Sequence, residues 1–177
     1  KPQFSLRDFW AVNDKLYISN IAYMSLGQGG GTNLSGNREN YEENGQYNFQ
    51  EAFNFNRNNI NPLYNSSEKA SDTYLYSSIN NHYWYGALST ANYQINKLFT
   101  MSGGIDLRYY KGEHYREVYD LLGGEYVVDE GNNLLQESQI KRVGDRIGYH
   151  NDGIVKWSGL FSQIEYSDDK LSAFLNI

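Results

Sequence analysis

From His82 to Tyr110 the side-chain character changes at almost every step along the chain, and this period of two restricts the fold more than any other feature. Tyr83, Tyr85, Ala87, Ser89, Ala91, Tyr93 and Ile95 alternate with His82, Trp84, Gly86, Leu88, Thr90, Asn92 and Gln94. Beyond Asn96 the separation sharpens, with Phe99, Met101, Gly103, Ile105, Leu107 and Tyr109 set against Thr100, Ser102, Gly104, Asp106, Arg108 and Tyr110. Successive side chains of an extended strand leave on opposite sides, so such a stretch builds a sheet with one apolar and one polar face. Helices would need apolar residues three and four apart. That spacing is scarce here, and Asn, Gly and β-forming residues dominate.

The pattern predicts an all-β, antiparallel up-and-down meander of six strands over 3–12, 15–26, 82–95, 97–110, 153–166 and 171–177. Its connections alternate in length. Asn13-Asp14, Asn96 and Ser167-Asp168-Asp169-Lys170 are tight polar turns, whereas the connections over 27–81 and 111–152 run to about 55 and about 40 residues, far beyond ordinary loops. In a meander, successive connections fall at opposite ends, so all the short turns lie on one side and all the long loops on the other. Aromatic residues also sit near both ends of the apolar faces, Tyr83 and Tyr85 against Tyr93, and Phe99 against Tyr109. Outer-membrane barrels combine short inner turns, long outer loops and two aromatic girdles. A soluble antiparallel sheet shares the alternation but has no reason to keep that asymmetry.

Three places fit less well. Asn20 interrupts the apolar set Leu16, Ile18, Ala22 and Met24. Asp8 stands beside Phe4, Leu6 and Trp10. Over 153–166, Val155, Trp157 and Phe161 share a face with Gln163 and Glu165, which a bulge near Gly159 would resolve.

Composition closes off other classes. No apolar run approaches the roughly 18 to 20 residues of a membrane helix. The mean hydropathy of -0.70 is neutral for a barrel, whose strands need only every second residue apolar. Without cysteine there is no disulfide scaffold or thiolate metal site, and a net charge of -6 without a basic stripe argues against nucleic acid. Seventeen tyrosines suit sheet surfaces, membrane interfaces and ligand-contacting loops better than a dry core. The chain opens at Lys1-Pro2-Gln3 and stops at Leu175-Asn176-Ile177, with neither start methionine nor signal peptide, and is expected to be part of a larger protein.

The run Gly103-Gly104-Ile105-Asp106-Leu107-Arg108-Tyr109-Tyr110-Lys111-Gly112-Glu113-His114-Tyr115-Arg116, continuing to Asp120-Leu121-Leu122-Gly123-Gly124, resembles the barrel region of TonB-dependent receptors of the Bacteroidetes type. Leu26-Gly27-Gln28-Gly29-Gly30-Gly31, the stretch from Asn81 to Gly86, and Asp145 to Phe161 extend the resemblance over most of the chain from about residue 15. The resemblance implies part of a transmembrane barrel of about 22 strands, whose lumen is closed by a plug and opened by the TonB complex, importing a glycan, peptide or metal chelate. Implied partners are the remainder of the barrel and the plug domain, the TonB complex, outer-membrane lipid and a surface lipoprotein. Plug, TonB-contacting segment and closing aromatic strand are missing from these residues. The family has no catalytic residues to carry over, and no cofactor is expected.

Candidate contact residues follow from this frame. Tyr47, Phe53, Tyr64 and Tyr74, with His114 and Tyr115, lie in the long loops and suit stacking on a solute; a self-packed lid or a docking surface is the competing reading. Asp106, Arg108 and Tyr110 are expected to face the lumen, with Lys156 as a further member, because a charge on the lipid side would cost about 2 to 4 kcal/mol at mid-bilayer. The glycine run 27–31 lacks the Lys-Ser pair of a phosphate loop. His82, His114 and His150 could converge on a metal, but scattered loop histidines are more often unrelated. Glu113, Glu117 and Asp120 could be imagined as a glycosidase pair, yet no pocket is implied. A surface β-sheet binding module resembling a lectin is the alternative function.

Overall fold

The computed structural model describes residues 2–36, 41–130 and 139–177. Among them run β1 (Gln3–Asn13), β2 (Leu16–Gly27), β3 (Gly30–Ser35), α1 (Phe49–Asn56), β4 (Tyr74–Gln94), β5 (Phe99–Asp120), β6 (Val127–Val128), β7 (Ile140–Lys141), β8 (Arg146–Ser167) and β9 (Ser172–Asn176). The fold is an antiparallel up-and-down meander in the order β1-β2-β4-β5-β8-β9, with β3 also on β4 and a separate β6-β7 pair.

The tight turns lie where expected. Asn13 Oδ1 accepts from the Lys15 and Leu16 amides, Asn96 Oδ1 from Leu98 and Phe99, and Asp168 Oδ1 from Lys170 and Leu171. Each short polar side chain mimics a backbone turn and so ends its strand locally. The stretches read as loops hold more regular structure than alternation suggested. β4 begins at Tyr74, β5 continues to Asp120, β8 begins at Arg146, and 27–81 also contains β3 and α1.

Two compact units divide the chain, one of 1–27, 82–112 and 153–177, the other of 28–81 and 113–152. In the first unit, Phe4 stands opposite Met24, Asp8 opposite Asn20, Asn20 opposite Ser89, Ala22 opposite Ala87 and Leu16 opposite Tyr93. One face therefore collects the even residues of β1 and β2 and the odd residues of β4. Ring pairs Tyr85–Tyr109 at 6.1 Å and Phe99–Tyr166 at 5.2 Å carry it across β5 and β8. The other, mixed face holds Tyr23, His82, Trp84, Asp106, Arg108, Tyr110 and Trp157.

A single register joins β5 and β8 in this unit, from the Ser167 amide donating to Leu98 O at 2.9 Å to Arg108 lying over Trp157 at 4.9 Å. The bulge expected near Gly159 is therefore absent. The Trp157 ring folds flat over Gly159, where any Cβ would collide with it. Aromatic residues thus share the polar face without switching sides. The left-handed glycine of β8 is instead Gly148, with φ +76°, in the second unit.

Among the described residues of the first unit only Gly27 and Gly112 are buried. Phe99, Met101, Ile105 and Leu107 remain 37% to 46% exposed, so among the described residues neither a helix nor a second sheet covers the apolar face.

The second unit has a core of Val118, Leu121, Val127 and Ile147, with Tyr74 packed against it. Helix α1 starts because Asn48 accepts from the Glu51 amide at 3.0 Å, and it ends at Asn56, which is fully buried. Asn56 Nδ2 donates to Thr73 O at 2.7 Å and to Leu121 O and Leu122 O at 3.1 Å, while its Oδ1 accepts from Asp72 N at 3.0 Å. One side chain thereby joins the helix to both segments that flank the core.

Candidate functional site

On the mixed face, Gln3, Tyr23, Ser25, Gly27, His82, Trp84 and Tyr110 line a hollow of about 580 Å³. The residues come from β1, β2, β4 and β5 and meet because the antiparallel registers bring the same side of four strands together. His82 Nδ1 and the Tyr110 hydroxyl are 2.6 Å apart, their rings 5.8 Å apart and nearly parallel. Trp84 meets Tyr110 at 5.4 Å and 61°, so the two rings form a corner. The Trp84 indole donates to the Tyr23 hydroxyl at 3.4 Å, and the Tyr23 ring lies over Gly86, the one residue type that leaves it room.

Asp106 and Arg108 share this face with Tyr110. Arg108 donates from Nη2 and Nε to the Asp106 carboxylate, the shortest contact 2.6 Å, while its guanidinium stacks on Trp157. That pair neutralises itself and, being partly exposed, adds little stability. Lys156 alternates with Trp157 and projects to the opposite face, so it does not join them.

Mid-way across the apolar face runs a polar chain. The Ser89 hydroxyl donates to Asn20 Oδ1 at 2.6 Å, Asn20 Nδ2 to Asp8 Oδ2 at 3.3 Å, and the Trp10 indole to Asp8 Oδ1 at 2.9 Å. The two misfits of the sequence pattern, Asp8 and Asn20, are thus partners, and both carboxylate oxygens of Asp8 are satisfied.

The loop candidates make separate local contacts among the described residues of the second unit. Tyr47 forms an aromatic trio with Tyr41 and Phe49, each at 5.1 Å. Phe53 packs its ring on Gly123 and under Arg57. Tyr64 is half-buried near Tyr126, and Tyr74 belongs to the core of the second unit. His114 Nδ1 lies 2.6 Å from Asn80 Oδ1, and Tyr115 stacks under Arg146 at 4.7 Å and meets His150 at 5.8 Å. In the same unit Arg116 sits between Tyr76 and Tyr149, at 4.5 and 5.1 Å. No cluster of three metal-ligating side chains occurs among the described residues.

Charges in the second unit are used structurally. Arg142 reaches Glu68 through Nη2 at 2.8 and 3.0 Å and Glu125 O through Nη1, and the Glu68 hydrogen bond raises its pKa. Burial, then the neighbouring Glu68 and Tyr64, pushes the Tyr126 phenol up. In the β8-β9 turn the Tyr166 hydroxyl, then the Lys170 and Leu171 amides, hold the Asp168 carboxyl below its usual range.

Of the hollow, sequence reasoning had singled out Tyr110 as lumen-facing and had weighed His82 only as a metal ligand. Gln3, Tyr23 and Trp84 were missed, although Trp84 shares the parity of His82, Asp106 and Tyr110. Which strand lies beside which, and in what register, is not written in a single sequence.

Comparison with protein families, curated proteins and solved structures finds no match. No helix among the described residues is long and apolar enough to cross a membrane, which says nothing of a β-barrel.

Proposed function

We propose that the chain forms part of the wall and outer loops of a TonB-dependent outer-membrane transporter that imports a nutrient: a glycan, a peptide or a metal chelate. The observation that carries this reading is the first unit's coreless sheet, whose apolar face, edged by aromatic residues, is exposed among the described residues. Phe99 and Tyr109 stand about ten residues apart on β5, about 33 Å of strand, which a tilt of about 40° reduces to the about 25 Å of an outer-membrane barrel's apolar band. Polar groups of backbone and side chain must be satisfied internally in lipid. On the face assigned to lipid the side-chain polar groups of Asp8, Asn20 and Ser89 are hydrogen-bonded to one another, while the Asp8 carboxylate and Lys156 are charges on that face.

On this reading the mixed face looks into the lumen, the second unit lies among the external loops, and β1 and β9 pair with strands of the remaining barrel. The plug domain, TonB complex and a surface lipoprotein are the partners, and the protein is not an enzyme. The hollow beside Trp84 favours a second reading, a surface binding module resembling a lectin, which would need no lipid. Extraction separates them: the transporter leaves membranes only with detergent and migrates as a heat-modifiable barrel, whereas a water-soluble monomer would overturn it.

A further inference from the structure

We infer that the hollow formed by Gln3, Tyr23, Ser25, His82, Trp84 and Tyr110 is a subsite for one uncharged sugar ring, built into the wall strands and not into the external loops. The assignment to a transported solute rests on the lumen-facing reading above; the chemistry of the subsite rests on its own residues.

At about 580 Å³ the hollow falls within the range of small-molecule sites, about 300 to 1,000 Å³. Trp84 and Tyr110 make two walls of a corner, 61° apart, which suits the C–H faces of a pyranose. Around that corner stand groups that both donate and accept: the Gln3 amide, the Ser25 hydroxyl and the hydroxyls of Tyr23 and Tyr110. Hydroxyl groups on a sugar need that mixture.

No lining residue carries a fixed charge. The cation two residues from Tyr110, Arg108, is held by Asp106 and stacked on Trp157. A carboxylate or phosphate entering the hollow would lose water and meet no fixed positive charge, only the titratable His82 ring already paired with the Tyr110 hydroxyl, so acidic chelates, charged peptide termini and uronates are disfavoured. A neutral saccharide is the class for which every lining group has a use.

The test is calorimetric titration of the full-length receptor carrying this chain, in detergent, with a panel of neutral hexasaccharides and with hexamers of galacturonate. A neutral hexasaccharide is expected to bind. Trp84→Ala is expected to weaken it about tenfold or more, Trp84→Phe and Tyr110→Phe by less, and Trp10→Phe on the opposite face not at all. Heat-modifiable migration of each variant reports that the barrel has formed. Binding of the galacturonate hexamer in preference, no binding by any neutral hexasaccharide, or unchanged affinity in folded Trp84→Ala overturns the subsite. A detergent-dependent barrel that binds no sugar sinks the subsite alone; a water-soluble protein that binds sugar through Trp84 sinks the transporter alone.

Discussion

Single side chains carry unusual weight where the chain has so little core. Asn56 is buried and makes four short hydrogen bonds to backbone groups of 72–73 and 121–122. Asn56→Ala leaves those groups without partners, and the second unit is expected to lose about 2 to 3 kcal/mol, read as faster amide exchange over 49–56 and 118–128. On the apolar face, Asn20→Ala removes the donor to Asp8 Oδ2 and the acceptor of Ser89, at an expected cost of about 1 to 3 kcal/mol in detergent melts. Asn20→Ser, which can still bridge, should cost less. Asp168 gives a pH dependence. Its carboxyl is held low in the folded turn, so its contribution is complete above the ordinary carboxylate pKa and is lost as pH falls through the lower, folded value. The protection factors of the Lys170 and Leu171 amides should fall on acidification, and Tyr166→Phe, which removes the largest cause, should shift that fall to higher pH.

Among elements, the β2-β4 pair is the most sensitive to substitution. Gly86 lies beneath the Tyr23 ring, and the ring in turn receives the Trp84 indole hydrogen bond. Gly86→Ala is expected to displace Tyr23 and cost about 1 to 3 kcal/mol of overpacking, with the Trp84 emission spectrum reporting the changed neighbour. The faces of β4 and β5 were legible in the sequence because alternation there is strict, and the three turns because Asn and Asp at their first positions bond locally. The ends of β4, β5 and β8 at the long connections were not. Residues 74–81 read as loop because Ser and Asn fill them, yet β3 supplies the hydrogen bonds that hold 74–79 extended, from Gly30 opposite Ile79 to Ser35 opposite Tyr74. Helix α1 did leave a signal, since Asn48 and Glu51 stand three apart as in a capping box, but one short helix among asparagines falls below what periodicity detects. The hollow was half legible: the parity that joins His82, Trp84 and Tyr110 is visible, whereas the neighbouring places of Gln3 and Tyr23 follow from register alone.

For the molecule as a whole, the contrast between a cored unit and a coreless sheet predicts two kinds of stability. Residues 28–81 and 113–152 hold buried apolar and hydrogen-bonded groups of their own, whereas the first unit has neither face covered. The sheet's melting temperature, followed by circular dichroism, should therefore change with the chain length of the detergent, while amide protection at Tyr126 and Val127 should not follow it. Several rings of the mixed face lie flat: Tyr23 over Gly86, Phe161 against Gly104 and Trp157 over Gly159. Each glycine lets a large aromatic recline along the backbone instead of standing upright. In the proposed wall, this keeps the bore clear for a passing solute while still offering it an aromatic surface, and a methyl group at Gly86 or Gly159 would tip a ring into the passage and narrow it.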